Sequence, residues 1–279
     1  MDFSPCPMFY IQTGRQPSTK LNCIWLETSG CFGEVISLLN GEHPGLVDFL
    51  QEMCHVVYFG SLMGDEAELA YTRILEVLEQ KQPLLFIVDG AIPTRDEGLY
   101  TVVAHYENKP ITALELVRQI APHADYILAA GTCACFGGPT AARPNVSHGK
   151  PLSEIIPSPI IHIPGCPSHP MWVLGTIGYL IQYGMPELDA LGRPLIFFEE
   201  RIHEHCPRRS YFDKREFAQH FGDPKCLFQL GCRGPITSTL CPLLRWNQSN
   251  NWPIGANTTC IGCANRGFPD QMEPFHSLS

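Results

Sequence analysis

Short apolar runs alternate with helical patterns through the first two-thirds of the chain. The run Leu84–Val88 lies between Pro83 and Asp89. A continuous apolar run of this length is typical of a strand that is buried on both faces of a sheet. Three further runs predict strands at residues 22–26, 126–129 and 160–163.

Helical spacing predicts the elements between these strands. Apolar residues recur at helical intervals within 66–80, and a second helix is expected to begin near Val35. Thr112 and Glu115 form a capping box that opens a further helix, and another helix follows Pro167. Repeated strand–turn–helix units predict an α/β fold on a doubly wound parallel sheet, with functional residues at the carboxyl ends of its strands.

The pattern changes after about Leu195. Regular periodicity fades, and Cys, Pro, Gly, Asn and Trp dominate the sequence to its end. A region of this kind is stabilised by metal centres rather than by a large apolar core. We therefore predict two domains, one at residues 1–194 that contains the sheet and a small, loop-rich one at residues 195–279.

Composition narrows the range of partners and locations. The formal net charge of −9 over 279 residues argues against nucleic acid or an anionic membrane surface as the main partner. The longest apolar stretch, residues 171–183, is too short to span a bilayer, and the first residues show no secretory signal pattern. We therefore expect a cytoplasmic protein without a transmembrane segment.

The 13 cysteines stand out in this composition. An odd number cannot form a complete set of disulfides within one chain, and in a reducing compartment cysteines are more often metal ligands. The densest part of the series comprises one histidine and six cysteines: His203, Cys206, Cys226, Cys232, Cys241, Cys260 and Cys263.

These residue types suit iron–sulfur clusters. Thiolates are soft ligands, and four of them typically hold a four-iron cluster. Seven ligands divide into four and three, which suits a four-iron cluster beside one that lacks an iron. Zinc is the alternative, because Cys260 and Cys263 at this spacing suit zinc equally well. His203 is preferred over His205 as a ligand, since one helical turn places it on the same face as Cys206.

A sparser group of cysteines lies earlier in the chain. Cys31, Cys133 and Cys166 each occupy a glycine-rich turn directly after a predicted strand. The carboxyl ends of parallel strands meet at one edge of a sheet, so these three could hold a third cluster. The remaining four are expected to be free, mostly buried thiols: Cys6, Cys23, Cys54 and Cys135. A protein with several clusters and no other catalytic apparatus is most simply a conductor of electrons.

Along nearly the whole chain, the sequence resembles the small subunit of a nickel–iron hydrogenase. Within that family, it is similar in pattern to the cytoplasmic uptake-type or actinobacterial-type branch. The matching motifs lie at residues 88–93, 131–134, 164–167, 203–209, 226–235, 241–247 and 260–263. The resemblance implies a flavodoxin-like first domain that holds a proximal cluster. It also implies that the small second domain holds a medial and a distal cluster.

The resemblance also assigns ligands to each cluster. The implied proximal ligands are Cys31, Cys133 and Cys166. A medial three-iron (3Fe-4S) cluster would be held by Cys241, Cys260 and Cys263, with Pro253 in place of a fourth cysteine. A distal four-iron (4Fe-4S) cluster would be held by His203, Cys206, Cys226 and Cys232.

One position departs from the family pattern. Where the family usually has Cys-x-x-Cys, this chain reads Cys31-Phe32-Gly33-Glu34. Either Glu34 binds the fourth iron of a 4Fe-4S cluster through oxygen, or the proximal site holds a 3Fe-4S cluster. A third interpretation is that Glu34 only begins the following helix, where a carboxylate suits the helix dipole. Ligation is favoured, because Glu34 lies in register with the missing thiolate.

The family implies a large subunit that carries the nickel–iron centre, where hydrogen is split. Electrons from H2 oxidation would pass through the three clusters to a redox acceptor near the distal one. A dimer of such heterodimers or a larger assembly is expected. Two alternatives remain open, a hydrogen-sensing regulatory subunit and an iron–sulfur electron-transfer subunit of another redox complex.

Overall fold

A computed structural model describes residues 20–64 and 67–273 of the chain. Its strands are β1 (Leu21–Glu27), β2 (Cys54–Phe59), β3 (Leu84–Asp89), β4 (Ile92–Pro93), β5 (Val102–Tyr106), β6 (Lys109–Thr112), β7 (Tyr126–Ala130), β8 (Gly149–Lys150) and β9 (Ile161–Ile163). Five of them form a parallel sheet in the order β2–β1–β3–β7–β9. Counted along the chain, this is the flavodoxin-like order. The predicted α/β fold with a doubly wound parallel sheet is confirmed.

Helices connect the strands and cover the sheet. They are α1 (Gly33–Leu39), α2 (Leu46–Asp48), α3 (Ala67–Gln80), α4 (Ala113–Ile120), α5 (Gly131–Phe136), α6 (Pro170–Tyr183), α7 (Leu195–Phe198), α8 (Arg209–Asp213) and α9 (Cys241–Leu244). A π-helix, Phe49–Met53, leads into β2. The start of α4 follows the predicted cap, because Thr112 Oγ1 accepts a hydrogen bond from the backbone N–H of Glu115 at 3.2 Å.

The centre of the sheet is its most deeply buried part. All six residues of β3 are buried, and successive side chains point to opposite faces. Leu85 and Ile87 join the apolar cluster on one face, while Phe86 and Val88 join the cluster on the other. A strand covered on both faces needs apolar residues at every position, which explains the continuous run in the sequence.

The chain after residue 194 is built differently. Within its described residues, α7, α8 and α9 have at most five residues each and no strand occurs. Its apolar side chains extend the cluster on one face of the sheet: Leu227, Leu230, Trp252, Ile254 and Ala264. The domain boundary at residues 194 and 195 stays a prediction.

Three connections at the carboxyl edge of the sheet carry the first group of cysteines. β1 leads through Cys31 into α1, β7 continues into α5 with Cys133, and β9 leads through Cys166 towards α6. Parallel strands place these three connections at the same edge. In the described ranges, no helix has the length and apolar character needed to cross a membrane.

Candidate metal centres

The connections after β7 and β9 are bonded to each other beside the first group of cysteines. The backbone N–H of Thr132 donates to the Gly165 carbonyl at 2.8 Å, and the N–H of Gly165 donates to Thr132 Oγ1 at 2.9 Å. Gly138 has a φ of +49°, and a Cβ there would lie 3.0 Å from the Cys133 sulfur. Glycine is therefore required at this position for the backbone to pass close to the thiol.

The first three cysteines lie close enough for their charges to interact. Desolvation by the surrounding protein, together with the charges of Cys133, Cys31 and Glu34, raises the pKa of the Cys166 thiol to about 12. Cys31 and Cys166 are exposed, while Cys133 is half-buried. The structure thus brings the three proximal candidates and Glu34 together at the edge of the sheet, with two thiols at the surface.

Glu34 lies in the first turn of α1, but its carboxyl group is turned inward. The backbone N–H of Ser168 donates to both carboxyl oxygens at 3.0 Å, and Ser168 Oγ lies 2.7 Å from Oε2. Burial raises the pKa of Glu34 to about 7, although the bonds from Ser168 favour the charged form. A role at the helix start alone does not explain a carboxyl group buried against another loop.

Asp89 at the end of β3 extends this acidic group. Burial raises its pKa well above the ordinary value, and the charges of Glu34 and Glu27 raise it further. Glu27, at the end of β1, accepts hydrogen bonds from the backbone N–H and hydroxyl of Ser61 at 2.6 and 2.5 Å. Three carboxyl groups therefore lie along the carboxyl edge of the sheet. Among them, Glu34 is the one whose charge raises the pKa of both Cys133 and Cys166.

The four distal candidates line one small cavity: His203, Cys206, Cys226 and Cys232. Short 3-10 turns position them, since His203 lies within Ile202–His205 and Cys226 immediately precedes Leu227–Leu230. Gly231, with a left-handed φ of 89°, turns the chain so that Cys232 faces the same space.

The two histidines of this region are in different surroundings. The His203 ring packs edge-on against Phe212 with the centroids 4.5 Å apart, at the wall of the cavity. Burial lowers the pKa of His203, and the charge of Arg209 lowers it further, so the ring is neutral at neutral pH and able to bind a metal. The His205 ring instead pairs with the Glu200 carboxylate.

The medial candidates Cys241, Cys260 and Cys263 also lie close enough for their charges to interact. Burial raises the pKa of Cys263 well above the ordinary value, and the charges of Cys241 and Cys260 add to this. Thr239 Oγ1 donates to the Cys241 sulfur at 3.2 Å. Pro253 is exposed between two buried neighbours, and its place beside these thiols stays a prediction.

Cys263 also contacts the proximal group. Its carbonyl accepts a hydrogen bond from Thr132 Oγ1, and Cys166 lies close enough to influence the pKa of its thiol. The same Thr132 hydroxyl accepts from the N–H of Gly165. The medial and proximal groups are therefore joined by a short bridge through the Thr132 hydroxyl. No sequence pattern indicates the roles of Thr132 and Ser168, because their partners lie far away along the chain.

The donor sets consist mainly of thiols, which as thiolates are soft ligands. In the described parts of the chain, no three His, Cys, Asp or Glu side chains approach closely enough to hold one metal ion. The four distal candidates instead surround a cavity, and soft thiolates arranged around a space are the ligands of iron–sulfur clusters. The cluster ligands themselves remain predictions.

Of the other described thiols, Cys135 lies near the proximal group, since the charges of Glu34 and Cys133 raise its pKa further after burial. Cys23 and Cys54 are buried neighbours on β1 and β2, and burial raises the pKa of Cys23 well above its ordinary value. The Cys135 thiol donates to the Ala129 carbonyl at 3.2 Å. Cys6 lies outside the described residues.

The fold and the three thiol groups are those expected of a small redox subunit with soft metal ligands. The family model for the C-terminal region of NiFe/NiFeSe hydrogenase small subunits matches residues 198–276. The model "NADH ubiquinone oxidoreductase, 20 Kd subunit" matches residues 31–180. The chain is 38% identical over 275 residues to the periplasmic NiFeSe hydrogenase small subunit of Desulfomicrobium baculatum, covering 92% of this chain and 87% of that one. This chain belongs to the small subunits of nickel–iron hydrogenases.

Other relatives and solved structures agree with this assignment. The uptake hydrogenase small subunit of Azotobacter vinelandii is 34% identical, over 92% of this chain and 72% of that one. The NiFeSe hydrogenase structure from Desulfovibrio vulgaris Hildenborough superposes with a TM-score of 0.89 at 30% identity, covering 95% of this chain and 100% of that one. The actinobacterial-type hydrogenase from Ralstonia eutropha H16 has a TM-score of 0.85 at 24% identity, over 95% and 84% of the two chains, which shows a shared fold.

Proposed function

We propose that this chain conducts electrons, released by H2 oxidation at the nickel–iron centre of a large subunit, through three clusters to a redox acceptor. The observation that supports this most directly is the serial arrangement of the thiol groups. The carbonyl of Cys263 in the medial group accepts a hydrogen bond from Thr132, the neighbour of Cys133 in the proximal group, and the distal group lines its own cavity. When bound, the clusters accept and pass on single electrons.

We assign a 4Fe-4S type to the proximal cluster, with Glu34 as its oxygen ligand beside Cys31, Cys133 and Cys166. The inward position of Glu34 and the influence of its charge on Cys133 and Cys166 support this assignment. The medial cluster is assigned as 3Fe-4S on three thiolates. The distal cluster is assigned as 4Fe-4S on three thiolates and His203.

The proximal edge has the character of a surface that a partner chain covers. Phe32 and Ile36 beside Cys31 are 67% and 57% exposed. A groove of about 480 Å³ next to them is lined in part by Ile36, Pro167 and Trp246. Exposed apolar patches of this kind mark interaction sites, and we propose that this edge is covered by the large subunit. Assembly into a dimer of heterodimers or larger also belongs to this proposal.

The test is to co-express the chain with its large subunit and to analyse the purified complex. We expect about eleven irons per small subunit and paramagnetic resonance signals from one three-iron and two four-iron clusters, together with H2 oxidation using an artificial acceptor. A colourless protein without iron would contradict the proposal and favour zinc. Hydrogen-dependent binding to a kinase without turnover would favour the sensing role.

Glu34→Cys tests the assignment at the proximal site. A thiolate donates more charge to iron than a carboxylate, so the midpoint potential of the proximal cluster should fall by about 100 mV. This is smaller than the rise in potential seen in clusters where two histidines replace two thiolates. Unchanged iron content together with an unchanged proximal signal would show that Glu34 is not a ligand.

We further propose a cytoplasmic location and an acceptor that docks near the distal group. Phe228, which lines the distal cavity, is exposed and provides a short route to the surface. Several relatives are named periplasmic, so fractionation of the native host with antibodies is the deciding measurement.

A further inference from the structure

Ser168 is a buried residue with an unusual number of partners. Its hydroxyl lies 2.7 Å from Glu34 Oε2, accepts from the backbone N–H of Gly131 at 2.9 Å and lies 2.9 Å from the carbonyl of Ile163. Its backbone N–H donates to Glu34, and its carbonyl accepts from the Ser37 hydroxyl at 2.6 Å. Only 1% of the residue is exposed, so these bonds are shielded from water.

The partners of Ser168 belong to the three connections that hold the proximal candidates. Glu34 follows Cys31 in the connection after β1, and Gly131 precedes Cys133 after β7. Ser168 itself follows Cys166 after β9. One side chain is therefore bonded to all three connections and fixes their positions relative to one another.

The space around the Glu34 carboxyl group is closed. A Cβ on Gly131 would lie 2.3 Å from Glu34 Oε1, and Gly131 has a φ of +80°. Any side chain at that position would collide with the carboxyl group and strain the backbone. The glycine and the serine together leave one place for the carboxyl group, against the loop that carries Cys133.

The hydroxyl of Ser168 cannot satisfy every neighbour alone. It carries one hydrogen, one lone pair accepts from Gly131, and the Ile163 carbonyl can only accept. When Glu34 is ionised, this hydrogen goes to Oε2, and the backbone N–H of Ser168 adds a second bond to the same carboxyl group. A ligand held from its far side keeps its orientation, and loss of such a partner typically weakens metal binding by about 10–100-fold.

We propose that Ser168 is the positioning residue of the proximal site, where it holds the Glu34 carboxyl group in place to bind iron and ties together the three ligand-bearing connections. This inference rests on the proposed function. It concerns a residue that touches neither the cluster nor its thiolates, and it accounts for a buried carboxyl group at the position of a family cysteine.

The experiment compares Ser168→Ala with the unsubstituted complex of both subunits. We expect the fourth proximal iron to be lost about 10–100-fold more readily to a chelator, with an altered proximal resonance signal. The medial and distal signals serve as internal references and should not change. Ser168→Thr, which keeps the hydroxyl, should restore the proximal signal, and Thr176→Val is the matched loss of a buried hydroxyl in α6.

The decisive measurement repeats Ser168→Ala in a Glu34→Cys background. A thiolate binds iron without the bonds that Ser168 makes to Glu34, so Ser168→Ala should then have a smaller effect on the proximal signal, limited to the loss of its bonds to Gly131 and Ile163. An equal effect in both backgrounds, or no effect in either, would overturn the proposal. If Ser168→Ala alone fails to assemble, its recovery by Glu34→Cys supports the proposal and continued failure overturns it. Absence of all cluster signals in the unsubstituted complex would instead contradict the proposed function.

Discussion

The proximal and distal groups are assembled in opposite ways. The proximal candidates come from three connections far apart in the chain, and the parallel sheet brings them to one edge. The distal candidates lie between residues 203 and 232, within short turns that enclose a cavity. The proximal group is therefore positioned by the fold. The distal group is positioned by local turns and, under the proposed function, by the cluster bound between them.

This difference extends to the chemistry of the two groups. The distal group has three thiols and a neutral imidazole, and its spare histidine is paired elsewhere. The proximal group has a carboxyl group in place of one thiol. Hydrogen bonds from Ser168 hold this carboxyl group in position. A site built on a rigid sheet edge can hold a weaker ligand in place through neighbouring side chains. A site built from turns has fewer such neighbours.

The largest expected effect comes from removing the metal, which should affect the region of the distal group much more than the sheet. Short helices without a sheet gain much of their stability from bound clusters. Chelation of iron should therefore accelerate amide hydrogen exchange in residues 203–263 by about tenfold or more while β3 keeps its protection. Hydrogen–deuterium exchange followed by mass spectrometry measures both regions in one sample.

The two regions share one apolar cluster, which would lead them to lose protection together. Trp252 and Ile254 pack in the same cluster as Leu85 of the sheet. Equal loss of protection in β3 and in the later region would show that the two form one cooperative unit, and the comparison would then fail.

The next effect concerns pH and the proximal edge alone. The pKa of Glu34 is about 7 in the folded chain against an ordinary value of 4.5. The unfolded chain therefore releases this proton first, and the metal-free chain should lose stability as pH rises from 4.5 to 7, with no further loss above 7. The total is about 3 kcal/mol at most.

Glu34→Gln should remove this part of the pH dependence, measured by urea unfolding of the metal-free chain at several pH values. Glu154→Gln is the matched control, because Glu154 is exposed and pairs with Lys150 at 3.4 Å. An unchanged slope in Glu34→Gln would show that the pKa of Glu34 is the same in the folded and the unfolded chain.

The sequence was a good guide to elements whose stability is local. Continuous apolar runs predict β3 and β7 because central strands are buried on both faces. β2 was missed, since it is an edge strand with alternating burial and follows a π-helix. The meeting of Cys31, Cys133 and Cys166 follows from parallel strand order. The role of Ser168 could not be predicted, because its partner Glu34 lies 134 positions away.

A smaller effect tests the bridge between the proximal and medial groups. Thr132→Val removes the hydroxyl that accepts from Gly165 and donates to the Cys263 carbonyl. Leaving such buried groups unpaired should lower the free energy of unfolding by about 1–3 kcal/mol. Thr72→Val, at an exposed hydroxyl in α3, should change it by less than about 0.5 kcal/mol. Equal effects of the two substitutions in denaturant unfolding would show that the bridge does not stabilise the fold.

The smallest expected effect concerns the two histidines beside the distal group. His205→Ala breaks an exposed ion pair with Glu200, and such pairs contribute about 0–1 kcal/mol. The distal resonance signal should therefore be unchanged. His203→Ala is its matched contrast, because that ring lies at the cavity wall with Cys206. If His205→Ala altered the distal signal and His203→Ala did not, the ligand would be the other histidine. The turns that hold the distal group would then have to rearrange when the cluster binds. The proximal group, which the sheet edge holds in place beforehand, would differ from the distal group even more clearly.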